Sequence, residues 1–200
     1  MAGKEKKRCL WCGTDPLYVR YHDEEWGVPV YDDKKLFEFL VLESFQAGLS
    51  WYIVLKKRPN FKKAFANFNA KKMAAFTKRD VARLMQDAGI IRNKMKIEAA
   101  INNAARFLEI QKEFGSFSNY VWSFTGGKTI DGKKKSMKDY VSKNELSDAM
   151  STDMGKRGFK FRGSTICYAF MQAVGIVNDH IADCFRYREI KAKNGIKSIS

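Results

Sequence analysis

Apolar positions recur at three- and four-residue intervals along most of this chain and alternation of period two is scarce, so the pattern predicts an all-α fold. Leu36 to Ala47 is apolar at nearly every position, with Asp32 and Asp33 available as N-terminal caps and Gly48 as a stop. A helix apolar on every side belongs at the centre of a core. A second helix from Trp51 to Lys57 is expected to end before Pro59, with Asn60 capping a short one through Phe68. Thr77-Lys78-Arg79-Asp80 has capping-box spacing and opens a helix through Met85 and Gln86. A turn, Asp87 to Arg92 with one glycine, leads into a long helix from Asn93 to Gly115 whose apolar stripe reads Ile97, Ile101, Ala104, Ala105 and Leu108. Further helices are expected from Asn119 to Phe124 behind Ser118, from Leu146 to Met154, and from Thr165 to Val174 behind Ser164. Residues 125–142, with Gly126, Gly127, Gly132 and the run Lys133-Lys134-Lys135, read as a loop, as does the basic stretch Gly155 to Gly163.

Two hundred residues that are 45% hydrophobic supply a core for one compact domain or two lobes. No apolar run is long enough to span a membrane, and the charged start Met1 to Arg8 leads into no long apolar stretch, so no secretory signal is expected. Four scattered cysteines do not make a disulfide framework and suit a reducing, intracellular compartment. The 37 Lys+Arg against 22 Asp+Glu give a net charge of +15, which favours a polyanionic partner, nucleic acid first, through release of condensed counterions. The lysine run at 133–135 and the tail around Lys191 and Lys193 read as solvated.

Three constellations carry chemistry. The two histidines lie at opposite ends of the chain, each near a cysteine: Cys9 with His22, and His180 with Cys184. Together they make a tetrahedral Cys2His2 set with no open position, the pattern of a structural zinc, and on a helix the i, i+4 pair His180 and Cys184 would share a face. Cys12 offers a competing Cys9-x-x-Cys12 pair. Leu84 to Ala105 forms two helices around a turn holding Gly89, followed by basic Arg92, Lys94 and Lys96. Free amides at the second helix would face a phosphate, although any αα-hairpin with a glycine turn looks similar. Glu43 falls on the stripe Leu36, Phe39, Leu40, Glu43, Ala47, where a carboxylate is costly unless a cation or donor meets it. A structural ion pair would satisfy it. So would a flat cationic ligand held by Trp11, Tyr18, Tyr21, Trp26 and Trp51, which crowd the same third of the chain.

Several longer motifs are more specific. Asp15-Pro16-Leu17-Tyr18, Tyr21-His22-Asp23-Glu24-Glu25-Trp26-Gly27-Val28-Pro29, Leu42-Glu43-Ser44-Phe45-Gln46-Ala47-Gly48-Leu49-Ser50-Trp51, Asp87-Ala88-Gly89-Ile90-Ile91-Arg92, Gly158-Phe159-Lys160-Phe161 and Asn178-Asp179-His180 closely resemble the type I 3-methyladenine DNA glycosylases of bacteria, from about Cys9 to Cys184. The resemblance implies a helix-hairpin-helix glycosylase fold and one structural Zn2+ on Cys9, His22, His180 and Cys184. It also implies a cytoplasmic, monomeric enzyme that hydrolyses the N-glycosidic bond of 3-methyladenine in alkylated double-stranded DNA, leaving an abasic site. Position by position, Glu43 becomes the catalytic and base-binding acid, recognition first. Trp51 and Tyr21 stack on or edge the adenine, and Tyr18, Trp11 and Trp26 complete the pocket. Leu49, beside Gly48, fills the gap left in the duplex, and Gly89, Arg92 and Lys94 hold phosphates. The expected organisation is a flexible basic N-terminus over 1–8, one catalytic unit of two helical lobes over 9–187 with the hairpin lobe at about 60–125, and a flexible tail over 188–200. The rivals are a zinc-stapled module that only binds DNA and a helical sensor of the free base. Release of 3-methyladenine from methylated duplex separates the enzyme from the module, and binding of the free base without affinity for DNA is the signature of the sensor.

Overall fold

The computed structural model describes residues 6–194, in which ten α-helices and a pair of two-residue strands account for the regular structure, with short 3-10 turns at Leu10–Cys12, Ala66–Phe68 and Met137–Asp139. The helices are α1 Pro16–Glu24, α2 Asp33–Gln46, α3 Trp51–Ala64, α4 Ala70–Ala74, α5 Lys78–Gln86, α6 Lys94–Phe114, α7 Phe117–Ser123, α8 Glu145–Lys156, α9 Ser164–Ala173 and α10 Phe185–Asn194. The mostly helical expectation therefore holds.

Every side chain of α2 from Leu36 to Phe45 is buried, and α3, α6, α7 and α9 pack around it. The Asp32 carboxylate caps α2 through the Lys35 amide, and Gly48 leaves the helix at φ +77°, where a glycine carries no steric penalty. Asp33, expected to share in that cap, instead accepts the amides of Phe117 and Ser118 at 2.9 and 2.8 Å and so caps α7 from a distance. Ser116, not Ser118, is the local cap of α7.

Pro59 lies inside α3 rather than after it, and Asn60 caps nothing. A helix-interior proline costs about 3 kcal/mol, whereas burying one phenylalanine returns about 1.5–3 kcal/mol. Continuation of α3 buries both Phe61 and Phe65, which pack with Phe45 at ring separations of 4.7 and 5.6 Å. The core-facing stripe of α6 is also displaced from the expected one. Ile97, Ala100, Ala104, Phe107 and Ile110 are buried, while Ile101, Ala105 and Leu108 are half-exposed.

The 125–142 segment is more than a loop. Ile130–Asp131 pairs in parallel with Val177–Asn178, and the Ser136 and Asp139 side chains close a reciprocal cap around the turn at Met137–Asp139. Lys134 in the supposedly solvated run is buried. At the far end, His180 and Cys184 share no helix: the Cys184 amide closes a turn onto the Ile181 carbonyl, and α10 begins one residue later. Residues 188–194, expected as tail, continue α10, while 195–200 and 1–5 lie outside the described residues. Within the expected flexible N-terminus, the Arg8 guanidinium forks onto Asp23 and the Lys7 carbonyl accepts the Phe185 amide.

Lys96, one of the basic residues that follow the Gly89 turn, is buried and donates to the Phe45 and Ala47 carbonyls, tying the start of α6 to the end of α2. Lys96→Met strands those acceptors. Urea unfolding is expected to show a loss of about 1–3 kcal/mol.

Candidate functional site

The cavity that matters lies between α1, α2, α3 and α9 and has a volume of about 260 Å³, below the usual range for drug-sized ligands and suited to something small. Asp15 caps α1, accepting the Leu17 and Tyr18 amides, and Pro16 starts the helix with its backbone angle already set. That fixes Tyr18 and Tyr21 on one face, stacked at 6.5 Å, with Tyr52 anchoring the cap by donating to Asp15 at 2.6 Å. Trp11 meets Tyr18 at 5.1 Å and Trp26 edge-on at 4.8 Å, and Trp51 lies 5.3 Å from Tyr21. All five rings expected at the site line this one cavity together with Glu43.

Glu43 is 3% exposed, and its Oε2 has no hydrogen-bond partner among the described residues. Among the described residues no cation pairs with it, so the structural ion pair is not what satisfies it. Burial alone pushes its pKa up to about 8. The Trp51 indole N–H on the same wall is likewise buried without an acceptor. A buried acid and a buried donor, both unmatched and both facing a ring-lined space, describe a site complementary to a flat polar molecule, and a cationic one would draw the acid into its ionised form.

Beside this cavity Cys9, His22, His180 and Cys184 are all buried, their ligand atoms within 4.8 Å of one another. The Cys184 sulfur lies 3.5 Å from both His22 Nε2 and His180 Nδ1, and the Cys9 sulfur 3.5 Å from His180 Nδ1. A tetrahedron with metal bonds of about 2.0–2.3 Å has edges of roughly 3.3–3.8 Å, so the donor set fits a metal ion. The outer partners orient both rings: His22 Nδ1 meets Asp23 at 2.8 Å, and His180 Nε2 meets the Trp26 carbonyl at 2.9 Å. Cys12 is turned away, its thiol donating to the Cys9 carbonyl at 3.1 Å, so the Cys9-x-x-Cys12 alternative is not built.

α5 and α6 form a hairpin around Gly89, and α6 is capped by Asn93. The Gly89 amide is not free for a phosphate, because it donates to Asp87 at 2.7 Å. Arg92 and Lys94 are exposed at the start of α6, and Leu49 is exposed at the α2–α3 turn that Lys96 links to that same helix end.

The sequence profile of the methyladenine glycosylase family matches residues 11–187. The chain belongs to that family. It is 49% identical over 181 residues to DNA-3-methyladenine glycosylase 1 of Escherichia coli (strain K12), covering 90% of this chain and 97% of the relative. A crystal structure of a 3-methyladenine DNA glycosylase I superposes with TM-score 0.87 at 49% identity, covering 90% of this chain and 98% of that one. A structure of the Staphylococcus aureus 3-methyladenine DNA glycosylase I, which concerns that protein's recognition of 3-methyladenine, superposes at TM-score 0.86 with 38% identity over 89% of this chain and 95% of that one.

In this member of the methyladenine glycosylase family the cavity also uses residues that sequence reasoning missed: Gln46, Met137, Tyr140, Ala169 and Gln172. Gln46 follows Glu43 by three positions on α2, and that spacing was signal enough to find it. Met137 and Tyr140 arrive from the 125–142 segment, and Ala169 and Gln172 from α9, by packing that no local pattern announces.

Because the folded state holds the Glu43 proton up to about pH 8, its contribution to stability is complete below the ordinary carboxylate range and is lost as pH rises through about 8. Glu43→Gln mimics the protonated acid. Relative to wild type, it is expected to gain stability progressively from about pH 5 to pH 8 and to level off above, by on the order of a few kcal/mol in denaturant titrations.

Proposed function

We propose that this protein is a monofunctional DNA glycosylase of base-excision repair, hydrolysing the N-glycosidic bond of 3-methyladenine in alkylated double-stranded DNA to free base and an abasic site. The observation that carries the reading is Glu43, a buried acid with an unpartnered oxygen in a cavity walled by Trp11, Tyr18, Tyr21, Trp26 and Trp51. Adenine methylated at N3 in DNA is cationic, which weakens its bond to the sugar and makes it leave as a neutral base. Aromatic faces and one carboxylate favour that cation over neutral adenine, each by on the order of 1–2 kcal/mol once desolvated. The nucleotide must leave the stack to enter, and a damaged base resists least. The reaction in this reading is simple hydrolysis, without strand cutting.

In this reading Leu49, released into the open by Gly48, fills the gap the flipped base leaves. The hairpin around Gly89 acts as a helix-hairpin-helix element whose exposed Arg92 and Lys94 meet phosphates, with affinity falling as salt rises. The two helical lobes work as one unit, and because one chain builds the whole cavity, a monomer suffices. No described helix is long and apolar enough to cross a membrane, which accords with a cytoplasmic repair enzyme.

The Cys2His2 cluster holds Zn2+ in this account. The bound ion supplies no reaction chemistry but joins the two ends of the chain beside the rings. Trp11 lies 5.3 Å from His22, and Trp26 lies 4.6 Å from His180, so both cavity walls rest on the liganding histidines.

Glu43→Gln is expected to lower release of 3-methyladenine from methylated duplex, and affinity for the free base, by about 10- to 100-fold with the circular dichroism unchanged. Unaltered excision refutes the role. Elemental analysis is expected to find one zinc per chain, retained by Cys12→Ser and lost in Cys184→Ser, with a strong chelator lowering the unfolding temperature.

A further inference from the structure

Asp179 is fully buried and belongs to none of the roles above. Its Oδ2 accepts two hydrogen bonds of 2.8 Å, from the Tyr168 hydroxyl and from Gln172 Nε2. Gln172 lines the base cavity. A carboxylate oxygen repels a carbonyl oxygen, so Asp179 leaves the amide one orientation: nitrogen inward, Oε1 on the cavity side. No described residue donates to that Oε1.

The same carboxylate also holds a second wall. Lys134 Nζ lies 3.9 Å from Asp179 Oδ1 and donates to the Asp139 carbonyl at 2.9 Å, fastening the turn that brings Met137 and Tyr140 to the cavity. Gly132 makes this approach possible, because any side chain there would collide with Asp179 Oδ1.

We infer that Asp179 is a positioning residue and Gln172 a specificity-determining one: the fixed Gln172 oxygen accepts a hydrogen bond from the exocyclic amino group of an N3-methylated adenine and disfavours the 6-carbonyl of the corresponding guanine. The charge of the methylated ring does not separate these two bases, since both are cations in DNA. An accept-only group at the 6-position edge does, by attraction to one and repulsion of the other. The inference rests on the glycosylase reading.

The test is competitive release of 3-methyladenine and 3-methylguanine from one sample of methylated duplex DNA, read as the ratio of their kcat/KM values. That ratio cancels the fraction of enzyme that is folded. Gln172→Met, which keeps the length but removes the acceptor, is expected to lower the ratio by about 5- to 20-fold. Asp179→Ala should lower it similarly and add nothing further in the Gln172→Met background, whereas Asp179→Asn, which keeps an acceptor toward Gln172, should restore most of it. A ratio unmoved by Gln172→Met overturns the inference while leaving the glycosylase reading intact, and it decides the matter even where Asp179→Ala fails to fold. Additive effects of Asp179→Ala and Gln172→Met overturn the positioning role. Wild-type protein that releases neither base overturns the inference and the glycosylase reading together.

Discussion

The arrangement depends on a carboxylic acid being buried among aromatic rings without a partner. In most folds a residue such as Glu43 is met by a guanidinium or ammonium; here Arg58 takes Glu25 and Glu38 on the neighbouring surface, and Glu43 is left alone. The surrounding helices tolerate this because all ten side chains from Leu36 to Phe45 are buried and seven of them are apolar, so the helix is held by its neighbours whatever Glu43 contributes. In the proposed reading, what burial costs at Glu43 becomes complementarity toward a cationic base.

The second constraint is that the walls around that acid belong to distant parts of the chain. Trp11 and Trp26 rest on the histidines of the Cys2His2 cluster, and the cluster is oriented in turn by Asp23, itself gripped by Arg8. The ring-lined cavity and the Cys2His2 cluster are therefore in direct contact. The hairpin end is joined to the site by Lys96, whose ammonium closes the last carbonyls of α2 just before the Gly48–Leu49 turn. One of the basic residues that follow the Gly89 turn is thus a bolt between α6 and α2.

What was legible in the sequence followed from interactions that are local in the chain. Asp32, Thr77 with Asp80, and Asn93 cap the helices that their spacing announced, and Gly48 and Gly115 end theirs with positive φ. The rings and Glu43 were legible as a group because they cluster in one third of the sequence, and the four cluster residues because the chain has two histidines to choose from. Non-local forces account for the failures. Pro59 is overruled by the burial of Phe61 and Phe65, and Asp33 is drawn to an amide 84 residues away. The short parallel pairing of Ile130 with Val177, and the carriage of Met137 and Tyr140 to the cavity, leave no periodic trace.

One consequence follows from the joining of the two ends. Cys184 and His180 are among the last described residues to leave the ribosome, yet Trp11, one of the first, packs on a ring of the cluster they complete. At about 5–20 residues per second, on the order of ten seconds or more of synthesis separate the two. During that interval the nascent chain has α2 and its acid but no finished enclosure around them. A chain cut shortly before His180 would keep every residue that lines the cavity yet lack half of the cluster, including the imidazole against which Trp26 packs.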